Sequence, residues 1–323
     1  MNRYTRQYSL PMVGEVGQRR LLQSHVLVVG AGALGCPVLQ YCVGAGVGHI
    51  TLVDPDVVTI DNLHRQPLYD EKCVGQPKAL IAASRLTSLN SDVRIMPHIQ
   101  AFDPCRAVDW VTEADVVLDC ADSFAVTYSA SDECWRQKKA YISASVLGVN
   151  GYVGGFCHGA PSVRAIFPQP PRDKRTCESA GVMGPVAATV GCIQAQMALS
   201  YLLGTTPSPL GQMVVIDFAN YGFRHFRFDG AHEPEGKLFH FIARSQLVSD
   251  DLIIDLRTEK EVSESPLPEA QPFTLQDLIP LLPTLEPSQR LVLCCRRGMR
   301  AWHAALDLAA LWAGPIALLA LNG

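Results

Sequence analysis

The sequence predicts an α/β protein, with a helix-covered and mostly parallel sheet, an antiparallel extension of that sheet, and a second, smaller α/β unit. Three observations predict it. From His25 onward short β-rich runs alternate with helix-compatible segments ("HVLVVGAG", "HITLVDPD", "VRIMPHIQ", "ADVVLDCAD"), and such alternation implies parallel strands joined by crossover helices. Beyond these, "AYISASVLGVNGYVGGFCH" and "MVVIDFANYGFRHFRF" are strand-like with few helices between them, as in antiparallel pairing. A new alternating unit then begins at "DLIIDLR", after a stretch of Gly, Pro and mixed charge. A chain of 323 residues is long enough for two cores. The expected division is 1–228, a linker over 229–249, and 250–323.

Composition narrows the function. Charged residues make up 18% and apolar ones 48%, with a formal charge of −4, which offers no surface for nucleic acid or for a basic membrane helix. Eleven cysteines, an odd count with no CxxC, read as reduced thiols. The polar start "MNRYTRQYSLPMVGEVGQRR" lacks an apolar targeting core, so the expectation is a cytoplasmic protein. The uncharged run Val26–Gly48 is long enough to raise a membrane span, but its glycines and Pro37 favour a buried strand and helix.

The elements follow in order. "HVLVVGAG" is the first strand, with a helix behind it; Pro77 marks the start of the helix "KALIAASRLTSLN". "VMGPVAATVGCIQAQMALSYLLG" has helical length and small residues, and Gly204 stands where a C-cap belongs. There is no internal repeat.

The strand-to-helix junction "GAGALG", with Gly30, Gly32 and Gly35, is the context a dinucleotide fingerprint needs, since glycines let backbone amides approach phosphate at a helix N-terminus. Asp54 ends the next strand, 19 positions after Gly35, where a carboxylate can accept ribose hydroxyls. An NAD-dependent oxidoreductase and an ATP-using enzyme read alike to this point. The segment "DNLHRQPLYDEKCVGQPK" adds Asn62, Arg65, Gln66 and Lys78, donors suited to offsetting the charge of a triphosphate undergoing displacement. "LDCADS" then sets Asp119 and Asp122 at a strand end, where a carboxylate suits Mg²⁺ bound together with substrate phosphates. Singly, Asp54 could cap a loop, and Arg65 or Lys78 could be solvated surface charges. His64 reads as a structural or surface group.

"RYTRQ", "GAGALG", "DNLHRQ", "VGQPK", "DCADS" and "CESAGVMGP", in this order, resemble the E1-like adenylating enzymes of the MoeB/ThiF/HesA group over about residues 3 to 228. The resemblance implies a Rossmann-like fold and a homodimer that uses ATP and Mg²⁺ to adenylate the C-terminal Gly-Gly carboxylate of a small ubiquitin-like sulfur carrier protein. Gly30, Gly32, Ala33 and Gly35 would line the nucleotide and Asp54 its ribose. Asn62, Arg65, Gln66 and Lys78 would meet the phosphates, with Asp122 serving the metal and Ser123 beside it. Arg6 would reach the phosphates held by the neighbouring subunit. The sulfur donor would be a cysteine desulfurase or thiosulfate.

Two departures from the family pattern stand out. Many relatives hold a structural zinc with two CxxC pairs. At the first pair this chain has Ser162 and Ala165, and no cysteine lies between Cys192 and Cys294, so four thiolates cannot assemble there. The expectation is no zinc, with packing in its place. Relatives also read Asp-Asn followed four positions later by Arg, where this chain has Asp122, Ser123 and Thr127. A donor pair and a fixed positive charge are missing.

"DLIIDLRTEKEV" and "RLVLCCRRGMRAWHAALDLA" resemble a rhodanese-like domain, a short one, with Asp255 and Arg257 ending an early strand and a signature loop from Cys295 to Arg300. A cysteine between a strand and a helix N-terminus gains amide donors that favour thiolate, and such a loop can carry a persulfide. Cys294 and Cys295 could instead be buried strand-end thiols. Cys177, preceded by Arg172, Lys174 and Arg175, is the other candidate for covalent sulfur chemistry. Three rival functions stand beside the sulfur-carrier reading: adenylation of a small-molecule, peptide or tRNA-bound carboxylate, a carrier-binding module without catalysis, and the oxidoreductase.

Overall fold

The computed structural model describes residues 3–170, 181–236, 238–264 and 267–321. Eight strands form the first sheet: β1 (His25–Val29), β2 (His49–Val53), β3 (Arg94–His98), β4 (Val116–Asp119), β5 (Ala140–Leu147), β6 (Asn150–Phe156), β7 (Gln212–Asp217) and β8 (Gly222–Arg227). Their order is β3-β2-β1-β4-β5-β6-β7-β8. β1 to β5 pair in parallel and β6 to β8 antiparallel, so the alternating and the strand-only halves of the sequence became the two halves of one sheet.

Helices α1 (Thr5–Tyr8), α2 (Gly14–Gln23), α3 (Gly35–Ala45), α4 (Lys78–Leu89), α5 (Pro104–Glu113) and α6 (Phe124–Gln137) belong to this unit. A short α7 (Val163–Ile166) precedes the long α8 (Gly184–Leu203), which ends as expected on Gly204 in the left-handed region. α8 has the length and hydropathy to cross a bilayer, yet half of that stretch is buried. Gly191 shows where it goes: a Cβ there would stand 2.6 Å from Pro37 and 2.7 Å from the Leu34 carbonyl, so α8 lies directly on the start of α3. The run that raised a membrane span is thus β1 and α3, whose Val26, Val28, Val38, Leu39 and Val43 form the core between α8 and the sheet.

The second sheet is all parallel, in the order β11-β10-β12-β13-β9. It comprises β9 (His240–Phe241), β10 (Leu252–Asp255), β11 (Gln271–Pro272), β12 (Leu291–Cys295) and β13 (Ile316–Ala320). Three helices accompany it: α9 (Glu259–Glu264), α10 (Leu275–Leu278) and α11 (Met299–Leu308). β9 comes from within the stretch expected to be linker: His240 pairs with Ala317, and Phe239 and Phe241 are buried. A connection rich in Gly, Pro and charge reads as linker by composition, but its aromatic residues find an apolar surface to cover.

That surface is the seam between the two sheets. One apolar cluster runs through both, from Leu27, Val117 and Tyr128 to Leu293, Cys295 and Trp302. The Trp302 ring on α11 lies 4.7 Å from that of Tyr128 on α6 and 5.9 Å from that of Phe241. Burying aromatic side chains of this size contributes about 2–3 kcal/mol each.

Where the resemblance sets a zinc, polar ties join the same segments beside the packing of the buried Val163 and Phe228. The Ser162 amide and hydroxyl donate to the two oxygens of Glu233, at 2.7 and 2.6 Å, which links the start of α7 to the chain after β8. Two positions on, Arg164 donates from Nε and Nη2 to the two carboxylate oxygens of Asp132 on α6, at 2.6 and 2.8 Å.

Candidate active site

β1 lies between β2 and β4, so the loops after Val29, Val53 and Asp119 open side by side at one edge of the sheet. This is the crevice at the carboxyl ends of parallel strands where ligands bind in folds of this kind. The glycine motif meets the demands of the turn. Gly30 has φ +100°, and a Cβ there would stand 2.7 Å from the Cys120 carbonyl; a Cβ on Gly35 would strike the Gly30 carbonyl. Gly32 is different: among the described residues the Gln66 amide at 3.8 Å is the one group over it, and Ala33 beside it is half-buried.

The backbone of this turn is held from beneath. The Ala31 amide donates to Asp54 Oδ2 (2.6 Å), the Asp56 amide to Asp54 Oδ1 (2.8 Å), and the Tyr69 hydroxyl to the Ala31 carbonyl (2.8 Å). Burial pushes the Asp54 carboxyl up, against the pull of Lys78 and the two amides. Asp54 therefore shapes the turn with both oxygens; any ribose hydroxyl would share them. The buried Lys78 ammonium pairs with the exposed Asp56 at 2.8 Å, at the start of α4.

Asn62 ends the helical turn Ile60–Asn62 beside this loop, the Gln66 backbone amide donates to the Asn62 carbonyl, and both side chains are buried. Among the described residues Asn62 Oδ1 and Gln66 Oε1 find no hydrogen-bond partner, and neither does the buried Ser123 hydroxyl. A buried polar atom without a partner costs about 1–3 kcal/mol, so three around one crevice need an explanation, and a polar ligand supplies one. Ser123 is the N-cap residue of α6 yet makes no cap hydrogen bond, which leaves its hydroxyl free for that ligand. Arg65 is half-buried and is steered by the Asp61 carbonyl (2.7 Å) and His64 Nε2 (2.8 Å), so His64 has the structural part expected of it. The N-terminus of α8 leans on the same turn: a Cβ on Gly184 would stand 2.7 Å from the His64 carbonyl.

The two aspartates of "LDCADS" part company. Asp122 is exposed. Asp119 is fully buried, and its Oδ2 accepts from Thr127 (2.7 Å), Tyr141 (2.8 Å) and Ser143 (2.9 Å). Burial pushes its carboxyl up although the three hydroxyls favour the charged form. Thr127, at the position of the missing arginine, is thus a buried hydroxyl that secures the end of β4. Gln194 on α8, which sequence reasoning missed, adds to this by donating to the carbonyls of Asp119 (2.7 Å) and Ile142 (2.9 Å). An amide inside an apolar helix was the signal for it. Asp122 is then the carboxylate of this loop available to a metal ion carried by phosphates, and its exposure and chemistry fit Mg²⁺. Among the described residues no group of three or more His, Cys, Asp or Glu could hold a metal.

Arg6, on α1, is exposed. Cys177 lies outside the described residues, as do Arg172, Lys174 and Arg175. In the second unit Cys295 ends β12, and its sulfur accepts the Ala301 amide of α11 at 3.4 Å. Its neighbour Cys294 faces Asp255 and Arg257, and burial, reinforced by Asp255, pushes its thiol up. Asp255 and Arg257 are spent on each other at 2.8 Å, and Arg300 at the end of the loop pairs with Glu261 at 2.6 Å.

Comparison with known proteins follows the first unit. The model of the ThiF family matches residues 4–237. The sulfur carrier protein adenylyltransferase of Thermus thermophilus is 39% identical over 232 residues, covering 69% of this chain and 86% of the relative. The adenylyltransferase and sulfurtransferase MOCS3 of Bos taurus is 42% identical over 230 residues, 70% of this chain but 50% of the relative. The chain thus spans half the length of the MOCS3 proteins it matches. Among solved structures, Escherichia coli MccB with MccA-N7isoASN superposes with a TM-score of 0.64 at 21% identity, covering 72% of this chain and 74% of that one, which is a likeness of fold.

Proposed function

Because this chain belongs to the ThiF family, we propose that it uses ATP to adenylate the C-terminal Gly-Gly carboxylate of a small ubiquitin-like sulfur carrier, and that its second unit, rhodanese-like over residues 250–323, supplies sulfur to form a thiocarboxylate. The observation that carries the first step is the crevice itself: a glycine turn that the described residues leave open at Gly32, and oxygens of Asn62, Gln66 and Ser123 that find no partner among those residues. The amides around Gly32 and Ala33 cradle phosphate, Arg65 and Lys78 offset the charge that spreads as pyrophosphate leaves, and Asp54 holds both the turn and the ribose edge. Mg²⁺ at Asp122 would neutralise phosphate charge. The carrier's carboxylate attacks the α-phosphorus and pyrophosphate departs, leaving an acyl adenylate. In the homodimer of this reading Arg6 reaches the partner's phosphates.

For the second step, which requires the seam to open and uncover Cys295, the terminal sulfur of a Cys295 persulfide attacks the acyl carbon and AMP leaves, giving an acyl disulfide. Cys177 thiolate then attacks the Cys295 sulfur, which releases the thiocarboxylate and leaves a Cys177–Cys295 disulfide for a cellular thiol to reduce. A cysteine desulfurase or thiosulfate would load Cys295. The Ala301 amide at the start of α11, donated to the Cys295 sulfur, supports Cys295 as the reacting neighbour.

The test is carrier-dependent ATP–pyrophosphate exchange in Asp122→Ala. Asp122 is exposed, so the variant should keep its melting temperature and lose exchange by about 100-fold or more. Undiminished exchange would refute the assignment. Cys177→Ala should spare exchange and block thiocarboxylate formation, read by mass spectrometry of the carrier.

A further inference from the structure

Arg164, on the short α7, is a buried charge whose Nε and Nη2 are bonded while its buried Nη1 finds no hydrogen-bond partner among the described residues. Only 3% of it is exposed. Its guanidinium forks onto Asp132 of α6, and Nη2 also donates to the Phe239 carbonyl at 2.9 Å, just before β9. The same group lies over the rings of Tyr128 (5.0 Å) on α6 and Trp302 (5.1 Å) on α11. His240 completes the cluster with Nδ1 3.0 Å from Asp132 Oδ2. One side chain of the first unit thus grips α6, the chain entering the second sheet, and the helix that begins at the Cys295 loop.

The position of that loop gives the grip a consequence. A Cβ on Gly298 would stand 3.1 Å from Ala125 Cβ in the first turn of α6 and 2.5 Å from the Phe241 ring. Ala125 is two residues beyond Ser123, so the loop lies against the turn that follows the crevice loop Asp122–Ser123. Cys295 is 1% exposed and belongs to the apolar cluster shared by both units.

We propose that Arg164 is a positioning residue that seats the second unit on α6, so that the Cys295–Arg300 loop stays against the helix turn next to the crevice and Cys295 stays covered. As a statement about sulfur transfer it rests on the function proposed above; as a statement about the seam it does not. A buried fork, two ring faces and a carbonyl cannot be replaced by another geometry, so the seat loosens when the guanidinium is removed.

The experiment is alkylation of the full chain by iodoacetamide, read cysteine by cysteine by peptide mass spectrometry, with exposed Cys105 and buried Cys36 and Cys42 as internal references. In the unaltered chain Cys295 should react at least tenfold more slowly than Cys105. In Arg164→Gln it should react about tenfold faster than before while Cys36 and Cys42 stay protected, and Arg164→Lys should restore part of the protection. Asp132→Asn, which keeps the shape of the seam, provides the same reading if Arg164→Gln does not fold. In these variants ATP–pyrophosphate exchange should stay within twofold and thiocarboxylate yield should fall. Cys295 reacting like Cys105 in the unaltered chain, or unchanged in both Arg164→Gln and Asp132→Asn, would overturn the proposal. Release of Cys295 with no thiocarboxylate formed by any version of the protein would uphold the seat and refute the sulfur-transfer reading.

Discussion

The crevice and the seam are both built on carboxylates of the first unit, and they treat those carboxylates in opposite ways. At the crevice floor Asp119 is held by three neutral hydroxyls, and burial raises its proton affinity. At the seam burial would raise Asp132 too, but the Arg164 fork and His240 outweigh it and hold its carboxyl below the ordinary range. A hydroxyl-bound carboxylate is a rigid spacer that can exist in either protonation state. A carboxylate under a guanidinium is a latch that depends on its charge. The oxygens of Asn62, Gln66 and Ser123 find no hydrogen-bond partner among the described residues. Among those residues the seam has unpartnered atoms too, Arg164 Nη1 and Trp302 Nε1, but these lie in its apolar packing, whereas those of the crevice border its glycine turn and the loop after β4.

Replacing Asp119 should break this contrast most severely. Asp119→Ala strands three buried hydroxyls and loosens the end of β4, at a cost of about 3 kcal/mol or more. Asp119→Asn keeps an acceptor and a shape to which hydroxyl rotors can adapt, and should cost under about 1 kcal/mol. Urea midpoints of the two variants check this; equal losses would mean that the charge of Asp119, and not its shape, holds the strand end.

The contrast was only half legible in the sequence. Alternating runs gave the parallel strands, and the crowding at Gly30 and Gly35 is what a glycine fingerprint announces. The crevice residues Asn62, Arg65, Gln66 and Lys78 lie within a short stretch, so their joint meaning was open to reading. Asp119 and Asp122 were not separable, because burial is decided by Tyr141 and Ser143 on the next strand and by Thr127 on the next helix. Thr127 read as a lost arginine because only its partner shows what a hydroxyl is for. Arg164 carried no signal, since Asp132 is 32 positions away and Trp302 belongs to another sheet. The aromatic residues of 229–249 read as linker for the same reason.

Acid should sharpen the comparison by moving the two regions in opposite directions. The Asp132 carboxyl lies lower in the folded chain than the unfolded value of about 3.9, so its stabilisation is complete above that pH and is lost as pH falls through the folded value. Asp119 lies higher in the folded chain, so the folded state gains relative to the unfolded one as pH falls through the raised value. Thermal midpoints from pH 6 downward should show the advantage of the unaltered chain over Asp132→Asn shrinking, while its standing against Asp119→Asn improves. Parallel curves would mean that the two carboxylates share one environment.

The smallest effect belongs to His240, and it tests whether contact or burial makes the latch. His240 touches the same Asp132 oxygen that Arg164 Nη2 holds, at 3.0 against 2.8 Å, so contact alone would rank them alike. Their surroundings differ: the His240 side chain is 59% exposed and that of Arg164 4%. Water competes for the imidazole and screens its charge, as it does in surface pairs worth about 0–1 kcal/mol, whereas the guanidinium has no water to return to while the seam is closed. His240→Ala should therefore cost no more than about 0.5 kcal/mol and leave Cys295 alkylation within twofold, against the tenfold change expected for Arg164→Gln. If both variants released Cys295 equally, the latch would be the charge on Asp132, with the stacked guanidinium only one of its two counterions.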